Sequence, residues 1–139
     1  MRVRPLQPED AASASALDPP WTPESFFASH RTALVVETST GRIGGWLLLS
    51  VVPPEAEILN IVVAPEFRRQ GFAKALLREA LDSLAALRVR RVWLEVRESN
   101  TPAQHLYVHF GFAQRGRRAQ YYYHPAEDAL LLETTLTLC

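Results

Sequence analysis

The chain has 139 residues, 47% of them hydrophobic and 22% charged, with fifteen Lys and Arg balanced by fifteen Asp and Glu. That length accommodates one domain with a sizeable core, and the zero net charge argues against a general nucleic-acid binder. The only cysteine, Cys139, is the last residue. A disulfide framework is therefore excluded, and a reducing, cytoplasmic setting is the default. No apolar run is long enough to span a bilayer, and the start, MRVRPLQPED, lacks the apolar core of a signal peptide.

Arg2 to Leu6 alternates weakly and is expected to form a first strand. Pro8-Glu9-Asp10 opens a helix of small residues, with proline and acids in the first turn where the helix dipole favours them, and Pro19-Pro20 closes it. After Trp21, Thr22-Pro23-Glu24 reads as an N-cap followed by proline at the first helical position. A second helix carrying Phe26 and Phe27 should then run to about Arg31. The two helices form a lid-like segment, with Trp21 and both phenylalanines as candidate core. Ala33–Glu37, Ile43–Val52 and Glu57–Val63 are the next three strands, an antiparallel meander turned at Ser39-Thr40-Gly41 and Pro53-Pro54. Gly44-Gly45 should interrupt the middle strand.

Leu59 to Leu84 carries the densest signal. Ile61-Val62-Val63 has strand composition, and Ala64-Pro65 ends it. A basic turn, Arg68-Arg69-Gln70-Gly71, leads into a helix with apolar residues at Phe72, Leu76, Leu77, Ala80, Leu81 and Leu84, ending near Leu87. The turn and the helix N-terminus place backbone N–H groups and arginines at one point, which suits a phosphate. An ordinary strand-to-helix turn with solvated charges has the same composition. From Glu66 to Arg91 the bases Arg68, Arg69, Lys74, Arg78, Arg88, Arg90 and Arg91 outnumber the acids Glu66, Glu79 and Asp82. A local positive field results.

Val89–Val96 is a fifth strand, which after a helix should return parallel to the fourth in a right-handed crossover. Asn100-Thr101-Pro102 starts a short helix with Leu106, Tyr107 and Phe110 on one face and Gly111 just past its end. Phe112–Tyr123 and Ala129–Leu138 should form a closing antiparallel hairpin, turned through His124-Pro125-Ala126-Glu127-Asp128. The expected fold class is α/β (α+β): a mixed, mostly antiparallel seven-stranded sheet flanked by four helices, with residues 1–139 forming a single domain.

In open α/β sheets ligands sit beyond the C-terminal ends of the parallel strands. Two groups fall there: the turn at Arg68 to Lys74, and Glu95 near the end of the fifth strand. Glu95 shares its face with Trp93 and Arg97. It reads as an exposed strand charge or an ion pair with a nearby arginine, or else as a general base working through water. On spacing alone the first has the better claim. Tyr107 reads as a core aromatic with its hydroxyl at the surface, the plainer choice on position, or as a general acid, because a phenol can protonate a leaving thiolate. His30, His105, His109 and His124 lack ligand spacing with cysteine or acidic partners, so no metal site is expected. Tyr121-Tyr122-Tyr123 either lines a peptide groove or packs on both faces of a strand.

Val62-Val63, the turn Arg68-Arg69-Gln70-Gly71-Phe72-Ala73, Leu94-Glu95-Val96, and Asn100 through Leu106-Tyr107 to Gly111-Phe112 resemble the acyl-CoA-binding core of the GNAT N-acetyltransferase superfamily. The turn is similar to the superfamily's Gln/Arg-x-x-Gly-x-Gly/Ala pattern, with Arg68, Gly71 and Ala73 at the marked places. A narrower resemblance is to the RimI-like ribosomal-protein alanine N-acetyltransferases. Pro20-Trp21-Thr22, Leu59-Asn60-Ile61-Val62-Val63, Trp93-Leu94-Glu95-Val96-Arg97, Ser99-Asn100, Tyr121-Tyr122 and Glu127-Asp128-Ala129 carry it. The resemblance implies acetyl-CoA as co-substrate, Glu95 as base and Tyr107 as acid. It implies that Arg68, Arg69, Gln70, Gly71, Phe72, Ala73 and Lys74 hold the pyrophosphate. Ile61, Val62 and Val63 would pair with the pantetheine arm, an N–H there would face the oxyanion, and Asn100 would contact the arm. Transfer would be direct, with no covalent enzyme intermediate and no role for Cys139.

The chain departs from that pattern in three places. Arg117-Arg118 is followed by Ala119 and Gln120, so the paired arginines are displaced from the double tyrosine. Ala73 stands where a second turn glycine is common, and the N-terminal segment is short. Three readings follow: an acetyltransferase of a protein N-terminal α-amine, including alanine of a small-subunit ribosomal protein; the same chemistry on a small-molecule amine or another peptide, which the displaced arginines keep open; and a non-catalytic acyl-CoA sensor, against which Glu95 and Tyr107 together argue. A monomer or homodimer with no nucleic-acid, membrane or metal partner is expected.

Overall fold

The computed structural model describes residues 1–123 and 125–137. His124 of the expected hairpin turn, Leu138 at the expected end of the last strand, and Cys139 lie outside the described residues. Strands β1 (Arg2–Pro5), β2 (Arg31–Glu37), β3 (Ile43–Val52), β4 (Glu55–Val63), β5 (Arg91–Arg97), β6 (Ala113–Tyr122) and β7 (Glu127–Thr135) form one seven-stranded sheet, in the order β1-β2-β3-β4-β5-β7-β6. Only β4 and β5 pair in parallel; the other neighbours are antiparallel. The expected mixed sheet is present. Its last hairpin inserts β7, not β6, beside β5.

Three of the four expected helices are α-helical: α1 (Ala11–Ser15), α2 (Phe72–Ala86) and α3 (Thr101–His109). The expected second helix is instead a 3-10 helix, Pro23–Phe27. The segment is too short to reward α geometry, and one of its carbonyls and the N–H of the residue before it are already taken. The Ser25 hydroxyl accepts the Thr22 N–H at 3.0 Å, and the Ser25 carbonyl accepts from the Arg31 guanidinium. With three residues per turn, adjacent side chains point apart. Phe26 is buried, while Phe27 is exposed rather than part of the core.

Strand alternation sorts the apolar residues into two layers. On one face Leu47, Leu49, Ile58, Val92 and Leu94 meet Leu76, Leu77 and Leu84 of α2 and Tyr107 of α3. On the other, Val35, Trp46 and Leu48 meet Ala11 and Ala14 of α1 and Phe26. The short α1 cannot stand alone. Trp46 anchors it: its fully buried Nε1 donates to the Ala14 carbonyl at 2.7 Å, and the rings of Trp21 and Phe26 meet it edge-on at 5.7 and 5.0 Å.

One irregularity positions everything that follows. Leu48 pairs with Asn60 and Leu49 with Ile58, so Leu59 bulges out of β4. Ala56 and Ile58 face the α2 layer before the bulge, and Ile61 and Val63 face it after. The parallel ladder ends at the same place, its last pair being Ile58 and Leu94. Beyond it, Leu59–Val63 and Glu95–Arg97 diverge and the sheet opens. On the far side of β4, Gly45 is held close. A Cβ there would lie 2.5 Å from the Val62 carbonyl oxygen and 3.2 Å from the Val63 Cα. The glycines do not interrupt β3; Gly45 lets β4 approach it, and Gly44 makes room for the Phe72 and Phe67 rings.

Candidate active site

The basic turn is left-handed at Arg69 (φ 64°) and at Gly71 (φ 81°), where α2 begins. No side chain caps α2, so the N–H groups of its first turn lack partners within the helix and carry its positive dipole end. A cleft of about 650 Å³ opens beside them, lined by Ile61, Val62, Val63, Phe67, Arg68, Arg69, Gly71, Phe72, Ala73, Lys74, Asn100, Pro102, Ala103 and Leu106. It gathers every residue expected to touch the donor except Gln70, whose amide turns back to donate to the Glu66 carbonyl at 3.1 Å. Arg68 Nε reaches the Val63 carbonyl at 3.3 Å. Asn100 lines the cleft, but its Oδ1 is engaged as the cap of α3, accepting the Ala103 N–H at 3.2 Å.

Sequence reasoning did not single out Phe67, Pro102 or Ala103 as lining residues, and placed Leu106 on a helix face and within the family-like stretch. Phe67 stacks on Phe72 with ring centroids 5.4 Å apart and planes 7° from parallel. An aromatic residue two places after Pro65 was the available signal.

Where β4 and β5 splay, a second cavity of about 230 Å³ continues the cleft and shares Ile61, Asn100 and Ala103 with it. Glu95 and Tyr107 meet here, joined by Arg97 and Tyr122. Tyr107 is 5% exposed. Burial pushes its phenol well above the ordinary tyrosine value, with Tyr122 adding to the effect, so it stays a neutral proton donor. Glu95 also lines a third cavity of about 400 Å³, together with Glu55, Arg91, Trp93, Gly116, Arg117, Arg118 and Leu131. Its carboxylate thus stands between the splayed gap and that second hollow.

The ion-pair reading of Glu95 is met in part. An arginine is near: Arg118 Nε lies 3.5 Å from Oε2. That contact is too long for a good hydrogen bond, and Oε2 is buried with no hydrogen-bond partner among the described residues. An orphaned carboxylate oxygen is costly unless a substrate or water supplies the missing donor.

The displaced arginines are absorbed by a bulge in β6. Arg118 pairs with Ala129, and the next pair is Tyr122 with Glu127. Gln120, at φ 50°, gives its N–H to Asp128 Oδ1 at 2.9 Å. Arg117 is bound to Asp128 and Glu98 at 2.8 and 2.9 Å, while Arg118 turns toward Glu95. Of the three tyrosines, Tyr122 enters the gap and Tyr121 and Tyr123 are exposed. Arg97 ties the hairpin end over the gap by donating to the Tyr123 and Pro125 carbonyls, both at 3.1 Å, and to Glu127 Oε1 at 3.2 Å. Its guanidinium lies 4.4 Å from the Tyr122 ring centroid.

Residues 3–112 match the family model described as Acetyltransferase (GNAT) family. A Bacillus subtilis (strain 168) protein, provisionally named a [ribosomal protein bS18]-alanine N-acetyltransferase, is 36% identical over 141 residues, covering 98% of this chain and 93% of that protein. The Escherichia coli (strain K12) [ribosomal protein bS18]-alanine N-acetyltransferase is 35% identical over 126 residues, covering 86% of this chain and 83% of the relative. The crystal structure of the ribosomal-protein-S18-alanine N-acetyltransferase from Escherichia coli superposes with a TM-score of 0.90 at 29% identity, covering 99% of this chain and 95% of that one.

Proposed function

The chain is a member of the GNAT acetyltransferase family, and from that premise we propose that it transfers the acetyl group of acetyl-CoA directly to the N-terminal α-amine of a protein. The relatives named for bS18 alanine support an alanine N-terminus of that ribosomal protein as the acceptor. Such an acceptor belongs to the cytoplasm. The described elements all build one sheet around one site, and residues 1–139 read as a single catalytic domain.

One observation carries the chemistry. The donor cleft and the gap holding Tyr107 are continuous, and the buried, unpartnered oxygen of Glu95 belongs to a side chain that lines that gap. The first-turn N–H groups of α2, with Arg68, Arg69 and Lys74, suit the pyrophosphate. The backbone of β4 from Leu59 to Val63 has no β5 partner. It is left to pair with an extended pantetheine arm and to present an N–H to the developing oxyanion. Asn100 would meet the arm through its amide nitrogen, since its oxygen caps α3. An α-amine with a pKa of about 8 must lose a proton before it attacks. Glu95 takes that proton, directly or through water, and Tyr107 returns one to the departing thiolate. Neither step needs a covalent enzyme intermediate.

The test is a mass-spectrometric assay of acetyl transfer to a panel of N-terminal peptides, with spermidine and aminoglycosides as competing acceptors. Acetylation of alanyl peptides at the α-amine is the expected result. Transfer confined to the small amines would overturn the N-terminal reading, and acetyl-CoA binding without transfer to any acceptor would leave a sensor.

A further inference from the structure

The carboxyl of Glu57 is used neither by the fold nor by the mechanism above. Glu57 lies on β4 opposite Trp93 of β5, one residue before the parallel ladder ends. Its neighbours Ala56 and Ile58 point into the α2 layer, as do Val92, Leu94 and Val96 of β5. Alternation therefore puts Glu57 on the other face with Trp93 and Glu95. From strand spacing and rise, Glu57 and Glu95 sit roughly 8 Å apart at their Cα atoms, which lets their carboxylates converge on one small cation.

Four charged groups surround this point: Glu57 from β4, Glu95 from β5, Arg118 from β6 and Arg31 from β2. Arg118 leans on Glu95 without a hydrogen bond, and Arg31 donates to the Ser25 carbonyl. Glu57 forms no ion pair among the described residues. Partial burial, and next the negative charge of Glu95, raise its proton affinity above that of an ordinary glutamate. Arg118 and Arg31 offset this only in part, so a half-buried acid without an ion pair, beside a second acid with an orphaned oxygen, gains from a further cation.

We propose that Glu57 is an acceptor-binding residue, which with Glu95 brackets the ammonium of the incoming amine on the face of the sheet opposite α2. This rests on the reading of Glu95 as the base. The division of labour is chemical. At neutral pH the amine arrives mostly as an ammonium. One N–H proton passes to Glu95, while Glu57 keeps its charge and holds the amine in place until attack on the thioester carbon.

The experiment titrates a six-residue peptide with N-terminal alanine, and its Nα-acetylated counterpart, into the CoA-loaded protein by calorimetry, alongside steady-state kinetics. Glu57→Gln is expected to weaken the amine peptide about fivefold while leaving the acetylated peptide and CoA within twofold. Glu57→Asp should restore most of the loss. In the wild type, affinity for the amine peptide should fall as pH drops through the raised Glu57 range, and Glu57→Gln should reduce that dependence. Equal loss for both peptides, no loss for either, or no binding of the amine peptide to the wild type overturns the proposal. Glu95→Gln separates the two readings. It should abolish turnover and weaken the amine peptide as Glu57→Gln does, with the acetylated peptide still bound; retained turnover refutes the base assignment alone.

Discussion

At the scale of single residues, the proton roles proposed for Tyr107 and Glu95 follow from their different surroundings. Tyr107 packs against Phe112 at 5.6 Å and is almost wholly enclosed. Glu95 keeps an edge toward two hollows. Tyr107→Phe removes the donor and little volume, so kcat should fall about 100-fold or more, with the KM for acetyl-CoA and the unfolding midpoint unchanged. The direction of the phenol's shift gives a second check. A raised value keeps the proton on through the ordinary tyrosine range, so kcat should show no alkaline fall up to pH ~10 from loss of this proton. A drop near pH 9 in the wild type that is absent in Tyr107→Phe would contradict the assignment. Glu95, Tyr107 and the turn from Arg68 to Lys74 were legible as candidates because each lies in a short contiguous stretch that resembles the family's. Glu57 was not, and Arg118 and Tyr122 entered only as a displaced arginine and as one of three tyrosines with two readings. Their proximity to Glu95 depends on a bulge and on strand order, which no local spacing encodes.

At the scale of elements, β4 is held from one side and released on the other. Gly45 lets β3 press against Val62 and Val63, and the bulge at Leu59 frees the opposite edge from β5. Gly45→Ala would drive a methyl group into the Val62 carbonyl, and backbone cannot swing aside as a side chain does. The expected cost is about 1–3 kcal/mol of stability, read by denaturant unfolding, together with a raised KM for acetyl-CoA as the donor-facing edge of β4 shifts. An unchanged KM would mean that the strand edge does not set donor binding. Element type followed the sequence where the pattern was long, as in α2 with its buried Phe72, Leu76, Leu77, Ala80 and Leu84. It failed at Pro23–Phe27, where the five residues fall short of a stable α-helix and the Ser25 and Arg31 side chains settle the matter.

At the scale of the molecule, the lid-like N-terminal segment is fastened by charge as well as by Trp46. Arg4 of β1 binds Asp10 at 2.7 Å and Glu37 of β2 at 2.8 Å, and Asp10 also accepts the Gln7 N–H at 2.7 Å. The Arg4 hydrogen bond holds the Asp10 carboxyl below its usual 3.8. Its contribution to stability is therefore complete above about pH 4 and is lost as pH falls below that through its depressed folded value. Arg4→Ala should cost about 2 kcal/mol at pH 7 by leaving Asp10 buried without its cation, and the gap to the wild type should narrow at pH 3. A constant gap would mean that Arg4 acts through packing alone. No helix among the described residues is long and apolar enough to cross a membrane.

The amino-acid order by itself determined the alternation of strands and helices and the basic turn that opens α2, because these depend on residues within one element or one turn, and it offered Glu95 and Tyr107 as candidates through their resemblance to the family. Only the tertiary structure decided that β7 inserts beside β5, that β4 and β5 part beyond Ile58 and Leu94, and that Glu57, Arg118 and Tyr122 converge on Glu95. Those are outcomes of register and long-range pairing, in which a single bulged residue changes which side chains share a face.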